Sequence, residues 1–356
     1  MERLKQYLPY LLLGILALYI VCVHYFRNNP RYVIAITGAT PKAIVAPLPE
    51  GISLTITGYT ARVYTLTSKS LAAFAPAYVF TREVTDTGKY TGAYRYHGIP
   101  LLNILEGIKI KKPADAVFDG PHDIIVQFKS RSGKISKCSY GELVMSGNMF
   151  NYILAYKREP IQPAKEGNTY SKNLYREDLK GLRLVIACDR DTSRYLDDVV
   201  EINLTVPQYD CSALPKTKKG KRCSSSYILC TSPNKSHRAT FTGVSQQTIS
   251  DWVQVGHGRG YKGIVQVKGF NLKSFLYQNF SYIPHDAWFM FIGCDGYRCL
   301  FSYKEIFEQD AGNKLMIVTH INGKSAQGNF MVASTGDFFV DRCVWGLSHI
   351  VLLPGE

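Results

Sequence analysis

The sequence predicts an α+β fold: two tandem copies of one module, preceded by an N-terminal transmembrane helix. Three observations lead there. Residues 7–26 form an uninterrupted apolar run, three blocks of sequence recur in the same order, and short strand-like and helix-like segments mix without a regular β-α-β alternation. The chain has 356 residues, 46% apolar and 20% charged, which is a globular composition with ample material for a core. That composition excludes a disordered tail protein, a collagen-like repeat and a polytopic membrane protein.

Residues 7–26 are about as long as a bilayer-spanning helix needs to be. Arg3 and Lys5 precede the run, Arg27 and Arg31 follow it, and no small-residue cleavage site closes it. Residues 1–31 therefore read as an uncleaved anchor. Both flanks are basic, so the positive-inside bias is weak, and the very short N-terminal tail favours placing the bulk of the chain outside the cytoplasm. The expected localisation is the cell membrane, single-pass, with a periplasmic or cell-surface body.

The internal duplication rests on shared residues. One gapless match pairs Tyr90 with Tyr261, Gly92 with Gly263, Gly98 with Gly269, Leu101 with Leu272 and Leu105 with Leu276. A second pairs Asp123 with Asp286, Phe128 with Phe291, Gly133 with Gly296, Ser139 with Ser302, Tyr140 with Tyr303 and Glu142 with Glu305. A third pairs Asp189 with Asp337, Arg194 with Arg342, Ile202 with Ile350 and Leu204 with Leu352. Their common order points to two copies of one fold, over residues 50–205 and 239–353.

Each copy follows one plan. Residues 52–58 and 239–243 read as opening strands, and residues 68–74 and 250–255 as short helices. An extended stretch then runs through the shared Tyr-x-Gly to the second shared Gly. The Leu-x-x-x-Leu spacing after that Gly suits a helix with an inward apolar face. Strands follow at 124–128 and 287–292, then a turn at Gly133 or Gly296 and a further strand. Ser139 and Ser302 stand as helix N-caps, with Glu142 and Glu305 at the capping-box position. Strands at 152–156 and 315–321, then at 199–204 and 347–353, close each copy.

Residues 206–238 read as a linker rich in Pro, Ser and Lys. Lys216, Lys218, Lys219, Lys221, Arg222, Lys235 and Arg238 against Asp210 give it a net charge of +6, and residues 1–42 carry +4 of the chain's +14. The two modules are left near neutral, which argues against nucleic acid as a partner. The basic loop is a solvated surface loop or a contact for a polyanion or a lipid headgroup.

The repeated blocks resemble the molybdopterin-binding domain of the sulfite oxidase family in its short bacterial form. The second copy carries Gly269-Phe270-Asn271-Leu272, Asp295-Gly296-Tyr297-Arg298, Phe301-Ser302-Tyr303-Lys304-Glu305, Asn322-Gly323 and the run from Arg342 to Ile350. The first keeps Gly98-Ile99-Pro100-Leu101 and Gly181-Leu182-Arg183-Leu184-Val185. The resemblance implies a molybdopterin-type fold in tandem and a metal-binding cysteine upstream of the Gly-x-x-Leu entry. Residues 51–137 and 231–293 contain no Cys, so neither copy has the thiolate that a redox metal wants. No cofactor is expected on that ground, with molybdopterin as the alternative.

Eight of the nine cysteines lie beyond the apolar run, and Cys211, Cys223 and Cys230 are the foremost candidates for disulfides. No Cys-x-x-Cys or zinc-type spacing occurs, so no metal site and no catalytic residue is assigned. Asp295, Gly296, Tyr297 and Arg298 bring together a carboxylate, a ring and a guanidinium, and read as a ligand or partner site or as a hairpin turn. His257 sits in a Gly-rich loop before Tyr261 and reads as a contact at the module's mouth or as plain loop. Arg342 follows Asp337 as Arg194 follows Asp189, and reads as a buried ion pair or as an anion site. The function expected is non-catalytic binding or scaffolding at the cell envelope, with an envelope redox-complex protein as a possible partner. A molybdopterin-dependent oxidoreductase, or a polyanion or lipid-headgroup binder acting through the basic loop, are the alternatives.

Overall fold

The computed structural model of the chain describes residues 48–355 apart from 164, 167–168, 171–176, 211, 213, 216–222, 234 and 327. The first half carries β1 (Ser53–Gly58), β2 (Tyr64–Thr67), α1 (Ser68–Leu71), β3 (Ala77–Val84), β4 (Tyr90–Pro100), α2 (Leu101–Glu106), β5 (Ile125–Ser130), β6 (Ile135–Ser139) and α3 (Tyr140–Val144). It continues through β7 (Tyr152–Pro163), β8 (Lys165–Glu166), β9 (Thr169–Tyr170), β10 (Glu177–Ile186) and β11 (Val199–Thr205). The second half carries β12 (Leu229–Ser232), β13 (Lys235–Arg238), β14 (Gln246–Gly256), β15 (Gly260–Asn271), α4 (Leu272–Asn279), β16 (Trp288–Gly293) and β17 (Arg298–Ser302). It ends with β18 (Leu315–Ile321), β19 (Lys324–Ser325), β20 (Met331–Ser334), β21 (Val344–Trp345) and β22 (Leu347–Leu353).

Strands dominate, so the α+β expectation is corrected to a β-rich fold. Among the described residues there are 22 strands against four α-helices, the longest of eight residues. Two local misreadings show why. Residues 250–255, expected as a helix, lie inside β14. Ile249 faces Val267 and Trp252 faces Val265 there, so a bulge inserts one residue and breaks the period-two alternation. Residues 239–243, expected as the opening strand, form a loop whose Phe241 packs against the rings of Phe270, Phe275 and Phe330 at 4.7–5.2 Å. Phe241 and Ala239 pack against the core from this loop while Thr240, Thr242 and Gly243 are exposed. The opening strand of the second half is β12, inside the stretch expected as a linker.

The membrane expectation is corrected as well. No helix among the described residues is long and apolar enough to cross a membrane. Residues 7–26, and the whole of 1–31, lie outside the described residues, and the single-pass anchor with its extracytoplasmic body is not retained.

The two halves share one strand plan. The first has sheets ordered β2-β1-β11-β5-β6 and β10-β7-β4-β3. The second has β13-β12-β22-β16-β17 and β14-β15-β18-β20-β21. In each half the opening strand pairs in parallel with the closing one, Thr55 with Glu201 and Leu229 with His349. Every other ladder between named strands is antiparallel. Residues 47–356 form one compact unit.

The core follows from this layering. In the second half Leu272, Phe275 and Leu276 of α4 lie against Phe289, Phe291 and Phe301 of the sheet, all essentially unexposed. Every residue of β16 is buried because its other face is also covered, by Ile125 of the first half and by Tyr209 and Leu214 of the connecting segment.

The connecting segment is tied to one hairpin turn. Cys223 forms a disulfide with Cys294 across a sequence separation of 71 residues, with Cα atoms 6.0 Å apart. Cys230 is a buried free thiol, and Cys211 lies outside the described residues. A closed loop of that length removes much chain entropy from the unfolded state. Cys294→Ser is expected to cost about 2 kcal/mol, read as a lower denaturation midpoint. Equal midpoints for the variant and the oxidised parent would show that the bridge constrains nothing.

Candidate functional site at the seam between the modules

β6 and β17 each end in a serine that caps the next helical turn. Ser139 Oγ accepts the Glu142 amide at 3.0 Å and Ser302 Oγ accepts the Glu305 amide at 3.1 Å. Both serines then reach across to the other module. Ser139 Oγ donates to Glu305 Oε2 at 2.8 Å, and Ser302 Oγ donates to Glu142 Oε2 at 3.3 Å. The capping-box glutamates thus face one another across the seam.

An arginine backs each glutamate. Arg194 donates through Nε and Nη2 to Asp189 at 2.7 and 2.6 Å, and through Nη1 to Glu142 at 2.5 Å. Arg342 repeats this, with Asp337 at 2.7 and 2.8 Å and Glu305 at 2.5 Å. Charged groups taken out of water cost several kcal/mol each unless hydrogen bonds satisfy them, and in this cluster of six ionisable side chains the planar guanidinium forks supply those bonds. Gln309 crosses the seam too, donating to Asp189 Oδ1 at 2.9 Å and to the Tyr152 hydroxyl at 3.1 Å.

The two glutamates differ in charge. Burial pushes the Glu142 carboxyl well above the usual range, and the neighbouring Glu305 adds to this against the pull of Arg194. Burial acts on Glu305 as well. There Arg342 and hydrogen bonds from Glu142, Arg342 and Ser139 outweigh it and hold the carboxyl below its ordinary value. The surroundings therefore favour the neutral form at Glu142 and the ionised form at Glu305, and the two carboxyls titrate as a unit.

A groove of about 320 Å³ opens over this cluster. Arg194 and Ser302 belong to its lining, with Ser136, His285, Tyr303 and Lys304. Lys304 is paired with Asp191 at 3.2 Å and with Glu308 at 2.7 Å. Ser136 Oγ donates to the Arg194 carbonyl at 2.7 Å. The His285 ring packs on Tyr303 at 4.7 Å and is largely exposed. A second cavity of about 300 Å³ is lined by Glu106, Tyr140, Met145 and His257 among others.

The residues singled out from sequence do not converge on one ligand. Asp295 and Gly296 form the β16–β17 turn: Asp295 Oδ1 accepts the Tyr297 amide at 2.9 Å, and Gly296 has φ +83°. Arg298 is fully buried and serves the connecting segment, donating to the Tyr209 hydroxyl at 2.6 Å and the Pro215 carbonyl at 2.8 Å. The Tyr297 hydroxyl donates to the Asp341 carbonyl. His257 donates its amide to Asp341 Oδ2 at 2.7 Å and sets its ring edge-to-face on Phe339 at 4.9 Å. Arg342 is the ion-pair partner of Asp337 described above. Lys216, Lys218, Lys219, Lys221 and Arg222 lie outside the described residues.

One repeated element escaped the sequence reading. The second match extends backwards to Pro121-His122-Asp123 and Pro284-His285-Asp286, so each copy places a histidine at the same point. His285 lines the groove. His122 is buried against Phe118 and Tyr297, with no hydrogen-bond partner for either ring nitrogen, and burial holds it down at about 4. The serine-to-glutamate crossing had no sequence signal beyond the capping spacing, because the same serine and glutamate also serve a local cap.

A pterin-bound metal does not fit these residues. Cys223 and Cys294 are joined, and neither cavity is lined by a cysteine. Burial pushes the thiols of Cys188, Cys230 and Cys343 up to about 12, and those of Cys138 and Cys299 well above their ordinary value. No described thiol is thus poised as an open thiolate ligand. Nor do three or more His, Cys, Asp or Glu side chains gather in a metal-binding group among the described residues.

Fold and site together define a duplicated, β-rich module pair with a charged seam and a groove above it. No family model matches the chain, and no curated protein matches it. Among solved structures it is similar to the sulfane dehydrogenase SoxCD from Paracoccus pantotrophus, at 12% identity and a TM-score of 0.31, over 86% of this chain and 78% of that one. So distant a likeness assigns no family.

Proposed function

We propose that this chain is a non-catalytic binding protein that takes a small polar ligand in the groove between its modules. The observation that carries the reading is the state of the groove's reactive groups. Ser302 donates its hydroxyl proton to the buried Glu142 carboxyl at the seam and Ser136 donates its own to a backbone carbonyl, so both hydroxyls are engaged within the fold. Lys304 and Arg194 are held in ion pairs. Such a lining offers hydrogen bonds, the exposed His285 imidazole and a ring surface to a polar ligand.

The test is metal analysis together with pterin fluorescence on the full chain, produced in a host that makes the cofactor. Neither molybdenum nor pterin is expected at stoichiometric level. Finding both would replace this reading with that of a molybdopterin-dependent oxidoreductase bound through an unfamiliar ligand set.

A further inference from the structure

We propose that the seam between the two modules is closed by a single proton shared between Glu142 and Glu305, and that losing this proton in alkaline solution loosens the seam. The geometry puts both side chains in the interior, 0% and 4% exposed, each held by its own arginine and by the serine of the opposite module. So little of either carboxyl reaches solvent that water screens a second negative charge poorly.

The groups facing the pair set the balance. Arg194 and Arg342 bring two positive charges, and Asp189, Asp337, Glu142 and Glu305 four carboxylates. Cys138 approaches Arg194 at 3.6 Å and Cys299 lies near Arg342, and both thiols stay protonated. The Tyr152 hydroxyl, bonded to Gln309, stays protonated too. His122 carries no charge at neutral pH, and Lys304 is neutralised by Asp191 and Glu308. With one proton the cluster carries one excess negative charge. Without it the cluster carries two, and two carboxylates oppose one another in a dry interior.

The direction with pH follows from linkage. Glu142 holds its proton more tightly in the folded chain than in the unfolded one. Its contribution is fully present below the ordinary carboxylate value of about 4.5 and declines as pH rises toward the raised folded value. The bonds that cross the seam then loosen. These include the Phe338 and Phe339 amides on the Met145 carbonyl, at 3.0 and 3.2 Å, and the Leu300 amide on the His122 carbonyl at 2.8 Å.

Glu142→Gln tests this, because an amide supplies the same hydrogen bond without a titrating proton. The melting temperature of the parent chain is expected to fall by several degrees more than that of Glu142→Gln between pH 6 and pH 9. Exchange of the Leu300, Phe338 and Phe339 amides should accelerate over that range beyond its intrinsic pH dependence in the parent alone. Glu305→Gln, which removes the carboxylate that Arg342 and Ser139 hold, is expected to melt lower at every pH. Parallel pH profiles for the parent and Glu142→Gln would overturn the proposal. Infrared spectroscopy of the parent gives a readout that needs no variant to fold: a protonated-carboxyl carbonyl stretch at pH 7 is expected, and its absence would also overturn it.

Discussion

Replacing Arg342 by methionine is expected to cost about 3–5 kcal/mol, the effect of stranding buried carboxylates without their cation. Arg342 is 3% exposed and holds Asp337 through two nitrogens and Glu305 through a third. Its guanidinium also lies over the Phe301 ring at 4.3 Å, a contact that methionine partly keeps, so the loss reports charge more than volume. Chemical denaturation measures it. Pairing Arg342→Met with Asp337→Leu should recover part of the loss, since the second change removes one stranded charge. A loss below about 1 kcal/mol for Arg342→Met would place the cluster in the range of solvated surface pairs.

Gly269→Ala is expected to cost about 3 kcal/mol or more, at the upper end of overpacking effects. A Cβ at this position would lie 2.0 Å from the Ile317 carbonyl oxygen and 2.8 Å from Val318 Cα, backbone atoms of the adjacent strand β18. No side-chain rotation relieves such a clash. Gly98 occupies the same place in the first module, where a Cβ would meet the Leu154 carbonyl oxygen at 2.6 Å and Ala155 Cα at 2.8 Å. Both glycines stand at register shifts, between His97 and Gly98 and between Lys268 and Gly269. Gly133, with φ +85° and open space where a Cβ would stand, serves as the contrast. Gly133→Ala should cost about 1 kcal/mol through backbone conformation alone. The expected order of loss is Gly269, Gly98, Gly133, and finding Gly133→Ala the most damaging would refute the close-approach account.

These glycines show what the sequence made legible. Gly98 with Gly269, and Gly133 with Gly296, recur because a strand crossing and a tight turn each demand them, and such demands leave marks at fixed spacing. The short helices after Gly98 and Gly269 were legible for the same reason, since Leu101, Leu105, Leu272 and Leu276 lie on one buried face. Long-range pairing left weaker marks. β12 joins β22 through three residue pairs between distant segments, and nothing in Leu229–Ser232 announces it. The bulge in β14 concealed a strand, and Phe241 made a loop look like one. At the site, the spacing of Asp337 and Arg342 suggests an ion pair, and one is present. The partner across the seam has no local spacing at all.

Ser139 reaches Glu305 while Ser302 reaches Glu142, and such mutual exchange is the signature of a two-fold axis. An isologous dimer of one module would contain this same contact written twice. Joined in one chain, the two faces meet at a fixed ratio whatever the protein concentration. The two halves need not be identical either, and Glu142 and Glu305 occupy different surroundings that push their carboxyls in opposite directions.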